Sequence, residues 1–303
     1  MNAQSNAMPD ARSNSQVLTP ATVDTTRPFY WSLRREFWEY RSLYLAPLAV
    51  GALMVFAFLI TTIGRAMAIA NLERRQAVLQ EPYTFAAGAI MAAGFLVAIF
   101  FSLDTLYGER RDRSILFWKS LPVSDRTAVL AKAVVPIVIM PLLTFAVTML
   151  AEWLMMLMST AALLGSGLTV ATLWRQVSAS QMGLLYHLVT VHMLWHAPLY
   201  AWLLLISAWA RRMPFLWAVL PPIVIGFLEK IAFNTTHFVR WLGWRASGPQ
   251  DYDFDTSAGH LTHIMRHFDI GNFLLTPGLW FGLACSALFL AAAIRLRRDR
   301  QSA

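Results

Sequence analysis

The side chains of this 303-residue chain best able to do chemistry are seven histidines, one cysteine and a few carboxylates embedded in apolar runs. His260, His263 and His267 follow at spacings of three and four, so a single helical face would present three imidazoles, a set that suits zinc or copper. Asp251, Asp253 and Asp255 alternate just upstream and could add oxygens, and Asp269 follows. The competing reading is an ordinary solvated loop. His192 and His196 are four apart inside an apolar run and share a helical face, with His187 in the same run. They read either as a substrate or proton contact or as interhelical hydrogen bonding. Glu152 and Asp104 are carboxylates inside other apolar runs. Glu152 is open to the same substrate or proton reading, against structural pairing. Asp104 is expected to snorkel or to pair with Arg110 or Lys132, and Glu229-Lys230 reads as an interface anchor. Neither HExxH nor GxxxxGK[ST] occurs, and Gly165-Ser166-Gly167 lacks the lysine that would reach phosphates. A lone Cys285 excludes an intrachain disulfide and a cysteine metal cluster, and it reads as core packing.

The elements that must hold these residues are membrane helices. The chain is 57% hydrophobic and 14% charged, whereas soluble domains are about 45–50% apolar and about 25% charged. Six apolar runs, Leu45–Gly64, Thr84–Tyr107, the core of Ala128–Met158, Met182–Trp209, Pro214–Ile231 and Phe273–Ile294, are read as spans of a core about 30 Å thick. The expected fold is all-α and polytopic, with six transmembrane helices after an amphipathic interfacial helix. Residues 1–27 read as a disordered cytoplasmic tail without a signal peptide. In residues 28–44, Phe29, Leu33, Phe37, Tyr40 and Tyr44 form one face, with Arg34, Arg35, Glu39 and Arg41 elsewhere. That pattern fits a helix in the membrane interface or one packed on the protein body. Residues 45–300 form the six-span domain, with Arg65–Tyr83 a polar connector and 232–272 an outer loop. Pro136 and Pro141 are expected to kink the third span, and Pro221-Pro222 to break the fifth.

The net charge of +8 is read as topology and contact with anionic lipid. Its basic residues sit at span ends and form no stripe, which argues against nucleic acid. With the N-terminus inside, seventeen Lys and Arg fall on inner segments and eight on outer ones. Both termini are therefore expected in the cytoplasm.

The loop between the second and third spans, 108–128, differs from a simple connector. Gly108–Arg126 carries five basic and three acidic residues around Ile115-Leu116-Phe117-Trp118, followed by Leu121-Pro122. Glu109 to Arg113 could pair with charges on a partner, and Ile115, Phe117 and Trp118 could fill a groove in it. Leu121-Pro122 would turn the chain back to the membrane. The alternative is a solvated loop anchored by interfacial aromatics.

Glu109, Arg110, Arg113, Ser114 and Leu121-Pro122-Val123, together with Arg34-Arg35-Glu36-Phe37-Trp38-Glu39 in the first helix, resemble the membrane subunit of a type-2 ABC transporter over about Phe29 to Arg300. That resemblance implies a permease of the bacterial inner membrane that exports or flips substrates. Glu109, Arg110, Arg113, Ser114, Ile115, Phe117, Trp118, Leu121 and Pro122 would couple it to a separate ABC ATPase subunit. ATP and Mg would reside on that partner, with no cofactor or enzymatic step in this chain. The working unit would hold a second copy or a related permease, in membrane lipid. The histidine-rich outer loop matches no motif of that family. Two other readings stay open: a membrane-embedded metal-dependent enzyme, and a non-catalytic assembly or sensor subunit.

Overall fold

The computed structural model describes residues 26–68, 72–112, 123–163, 174, 181–247 and 270–299. All regular structure among them is helical. In chain order the helices are α1 (Thr26–Glu39), α2 (Ser42–Ala68), α3 (Leu72–Arg111), α4 (Asp125–Val134, continued through a π-helical turn Val135–Ile139 into Met140–Leu163), α5 (Gln181–Trp195), α6 (Ala197–Trp209), α7 (Pro214–Phe233), α8 (His237–Ser247), α9 (Ile270–Leu275) and α10 (Pro277–Asp299). Five of them, α2, α3, α4, α7 and α10, are long and apolar enough to cross a membrane, and the bent pair α5–α6 makes a sixth span if counted as one. The chain is an all-α polytopic membrane protein.

Helix α3 is central. It packs along α2, α4 and α6, while α10 lies along α6 and α7 stays at the periphery. Gly94 lets α3 approach α4, since a Cβ there would collide with the Thr144 hydroxyl. The outward faces of the spans carry Phe56, Ile60, Phe100, Leu150, Phe227 and Phe281, side chains suited to hydrocarbon.

Several boundaries differ from the sequence expectations. The polar connector after the first span is mostly helix: α2 runs to Ala68 and α3 starts at Leu72. Helix α3 also continues to Arg111, so Glu109 and Arg110 sit on a helix and not in a loop. Ser124 caps α4 by accepting the Thr127 N–H at 3.1 Å. Of the two prolines of the third span, Pro136 lies in the π-helical turn and Pro141 just after it, and Met140 N–H donates to Val135 O. Pro141 has no N–H, and its ring would crowd the Ile137 carbonyl in an α-helix. Pro221 and Pro222 sit inside a continuous α7.

The fourth span is where the backbone departs most from a straight rod. Leu188–Trp195 is π-helical, and the axis then turns by 44° at His196. Pro198, in the first turn of α6, lacks an N–H and would clash with the Leu194 carbonyl if the helix ran straight on. The His196 N–H instead reaches Val191 O at 2.8 Å. Into the outside of this bend packs α8, part of the stretch expected to be a polar loop. Its Arg245 guanidinium lies 4.4 Å over the Trp195 ring and donates to Gly278 O at 3.0 Å. A Cβ at Gly282 would collide with that guanidinium, so the glycine makes room for it. Burial pushes the Arg245 pKa down. Glu229 turns α7 into α8: its carboxylate accepts the His237 and Phe238 N–H groups at 2.7 and 2.8 Å, capping α8.

Candidate functional site

The strongest polar constellation lies where α1, α3, α4 and α10 meet. Lys132 is 1% exposed, and its ammonium has three N–H donors. They meet Glu36 Oε1 at 2.7 Å, Thr105 Oγ1 at 2.7 Å and Glu109 Oε1 at 3.2 Å. Thr105 in turn donates to Glu36 Oε2 at 3.1 Å. Glu109, 2% exposed, also accepts from Arg35 at 2.9 Å and from Arg297 at 2.6 Å. Arg297 extends the network to Asp125 Oδ1 at 3.1 Å. Three buried or half-buried carboxylates, Glu36, Glu109 and Asp125, thus meet three cations, Arg35, Lys132 and Arg297, and Arg35 also pairs with the exposed Glu39 at 2.9 Å. Buried charges are tolerated on this condition of pairing and full hydrogen bonding.

This clamp corrects two expectations. Glu109 and Arg110 were assigned to partner contact, but both side chains engage the protein's own body. Arg110 donates to Ala210 O at 2.9 Å and to Ser207 O, tying the end of α3 to the end of α6. Asp104 pairs with neither Arg110 nor Lys132. It accepts the Tyr40 hydroxyl at 3.2 Å and lies 3.9 Å from Arg111. Burial pushes the Tyr40 pKa up, and the nearby carboxylates of Asp104, Glu36 and Glu39 add to it. The other proposed coupling residues, Arg113, Ser114, Ile115, Phe117, Trp118, Leu121 and Pro122, lie outside the described residues, as do His260, His263 and His267. Among the described residues no three His, Cys, Asp or Glu side chains are placed to hold a metal ion.

Helix α1 and the residue just past its end pack on the protein body. Leu33 and Tyr40 pack into the core, while Trp31 and Trp38 are exposed, with the Arg34 guanidinium over both rings at 5.2 and 5.3 Å. The sequence names Glu36 only within the first-helix motif and Lys132 only as a possible partner of Asp104, and it does not single out Arg297, although signals existed for all three. Glu36 is three residues after Leu33 and four before Tyr40, on the apolar stripe. Lys132 interrupts the start of an apolar run. Arg297 continues the buried series Ser286 and Ala293 along α10. A charge on an inward face requires a partner.

The second constellation lines α5. Ring centroids of His187 and His192 are 5.5 Å apart, and those of His192 and His196 are 5.0 Å apart, with Phe95 of α3 packed on both His192 and His196. His196 Nε2 lies 2.9 Å from Ala246 O. A carbonyl only accepts, so Nε2 carries the proton, and the buried Nδ1 has no partner. Near the start of α5, Gln181 faces Glu152 of α4. The structure therefore gathers His192 and His196 with His187 at the bend, while Glu152 pairs with no cation among the described residues. No protein-family model, curated protein or solved structure matches this chain.

Proposed function

We propose that this chain is the membrane-spanning permease subunit of an ATP-driven exporter in a bacterial inner membrane, working with a separate ATPase and a second permease copy or a related chain. One observation carries the reading. The clamp fastens both edges of the stretch 113–122, the end of α3 and the start of α4, to α1 and α10. A displacement of that stretch by a soluble partner passes into four helices as one rigid unit, which is what a coupling element requires. Ile115, Phe117 and Trp118 are then the docking side chains, with Glu109 and Arg110 as the internal linkage behind them. The chain contains no phosphate-binding loop of the GxxxxGK[ST] type, so the ATP and Mg chemistry belongs to the partner. On the Lys and Arg distribution, the clamp and both termini face the cytoplasm.

The test is a mild-detergent pull-down from native membranes with the co-eluting proteins identified. A stoichiometric soluble protein with Walker motifs, lost on Phe117→Ala while the chain remains inserted, is the expected result. Recovery of the chain without such a protein, or one retained equally by Phe117→Ala and Trp118→Ala, overturns the reading.

A further inference from the structure

Among the described residues, three buried polar atoms inside the bundle lack hydrogen-bond partners and belong to one neighbourhood. Glu152 on α4 is 2% exposed, and its Oε2 meets no donor. Thr148, one turn earlier on the same face, is fully buried with its hydroxyl unpartnered. Gln181 at the start of α5 is buried, and its side chain faces the Glu152 carboxylate, yet its amide nitrogen reaches no acceptor in hydrogen-bond geometry. No Lys or Arg lies within ion-pair distance of Glu152 among the described residues. The titratable neighbour on α3 is Tyr83, whose hydroxyl is shared with Ser159 at 3.0 Å. Helix α5 contributes His187 further along, and the α2 side chains packed in this region, Phe58, Met54 and Val55, are apolar.

An unsatisfied buried polar group costs about 1–3 kcal/mol, and an isolated ionised carboxylate far more. A buried carboxylate with two further unsatisfied groups beside it, from two helices, calls for a missing positive ligand. Met155, three residues after Glu152, and Leu184, three residues after Gln181, each belong to a buried apolar cluster. The ligand that fits such packing is the smallest cation. We propose that Glu152 binds and releases a proton, with Thr148 and Gln181 as its switching hydrogen-bond partners. In the protonated state the acid O–H donates to Thr148 Oγ1, and Gln181 N–H donates to the other oxygen. When the proton leaves to water at the end of the bundle where α4 stops and α5 begins, the Thr148 hydroxyl rotates and donates back to the carboxylate. One pair of neighbours thus satisfies both charge states. The proposal does not depend on the exporter reading, since it concerns this chain alone.

The test uses the full chain in lipid nanodiscs and dicyclohexylcarbodiimide, which attacks protonated carboxyls in apolar surroundings. The acid O–H adds across one C=N bond, its proton ends on nitrogen, and the acyl group shifts from oxygen to nitrogen to give a stable N-acylurea with nothing released. Peptide mass spectrometry is expected to find the adduct on Glu152, at a rate that falls about tenfold per pH unit once the acid form is the minor one. The ion-paired Glu36 and Glu109 stay unlabelled, and Thr148→Val and Gln181→Leu each move the pH of half-maximal rate. Absence of the adduct at every pH in protein of native thermal stability overturns the proposal. So does labelling whose rate ignores pH, which would mark a permanently protonated structural group. Because the decisive profile is read on the native chain, it does not depend on any variant folding.

Discussion

At one end of α4, Lys132 has three N–H donors and three acceptors waiting for them. At the other end, Glu152 is equally buried and has an oxygen that meets nothing. Twenty residues separate them, about 30 Å of helix at 1.5 Å per residue. The helix is the same and so is the degree of burial, so the difference lies in what the neighbouring helices bring. At the clamp, α1, α3 and α10 each contribute a charge of the needed sign. At Glu152, α3 contributes a phenol and α5 an amide. A cluster in which every buried charge has a counter-charge holds helices together and does not need a ligand. A lone carboxylate among unpartnered donors is incomplete until something small and positive arrives.

If that contrast is right, substitutions of similar size should have opposite consequences at the two ends. The largest effect is expected from Lys132→Met, which strands the buried Glu36 without a cation and removes one of the three cations around Glu109. Breaking a buried pair in this way costs about 3–5 kcal/mol, so thermal unfolding in detergent should drop steeply or the protein should fail to accumulate. Adding Glu36→Gln to Lys132→Met should recover part of the loss, with a coupling of about 0.5–3 kcal/mol in the double-mutant cycle. Simple additivity would mean that the clamp is no network. Gly282→Ala should cost about 1–3 kcal/mol by pushing the Arg245 guanidinium off the Trp195 face, seen as lower thermal stability and altered tryptophan fluorescence. Glu152→Gln keeps the side-chain shape and removes an unpaired acid, so its unfolding temperature should equal or exceed the native one. A loss as large as that of Lys132→Met would show a hidden ion pair and erase the comparison. Smallest of all, Arg111→Ala removes exposed pairs with Asp112 and Asp104 and a long cation–π contact with Tyr107 at 5.8 Å, and should leave the melting temperature nearly unchanged.

The docking residues and the clamp also separate experimentally. Glu109→Ala is not a clean probe of partner binding, because the carboxylate holds Arg35, Lys132 and Arg297 at once. Loss of a partner in that variant would accompany loss of stability, whereas Phe117→Ala should spare stability. This pairing sharpens the functional reading more than either variant alone.

Hydropathy made the spans legible, since a hydrocarbon slab imposes a length and forbids charge over that length, and both constraints are local. The amphipathic first helix was legible for the same reason, as a period along the chain. The clamp was visible only in fragments. Glu36 on an apolar stripe and Lys132 at the start of an apolar run each announced a missing partner, but the partners stand 96 residues apart. Arg297 and Glu109 are 188 apart, and no local period connects them. Docking of α8 against the bend was hidden because its residues are polar enough to read as loop. The contacts that hold it, Arg245 on Trp195 and Ala246 on His196, join segments with no shared pattern.

The sequence by itself determined a helical membrane protein, the rough positions of its spans, and which polar residues would have to live among apolar ones. Propensity, length and the cost of unsatisfied backbone in lipid act residue by residue and need no partner to be known. Only the tertiary structure decided which of those polar residues are paired. Pairing depends on which helix faces come together, and it separates the satisfied Glu109 from the unsatisfied Glu152.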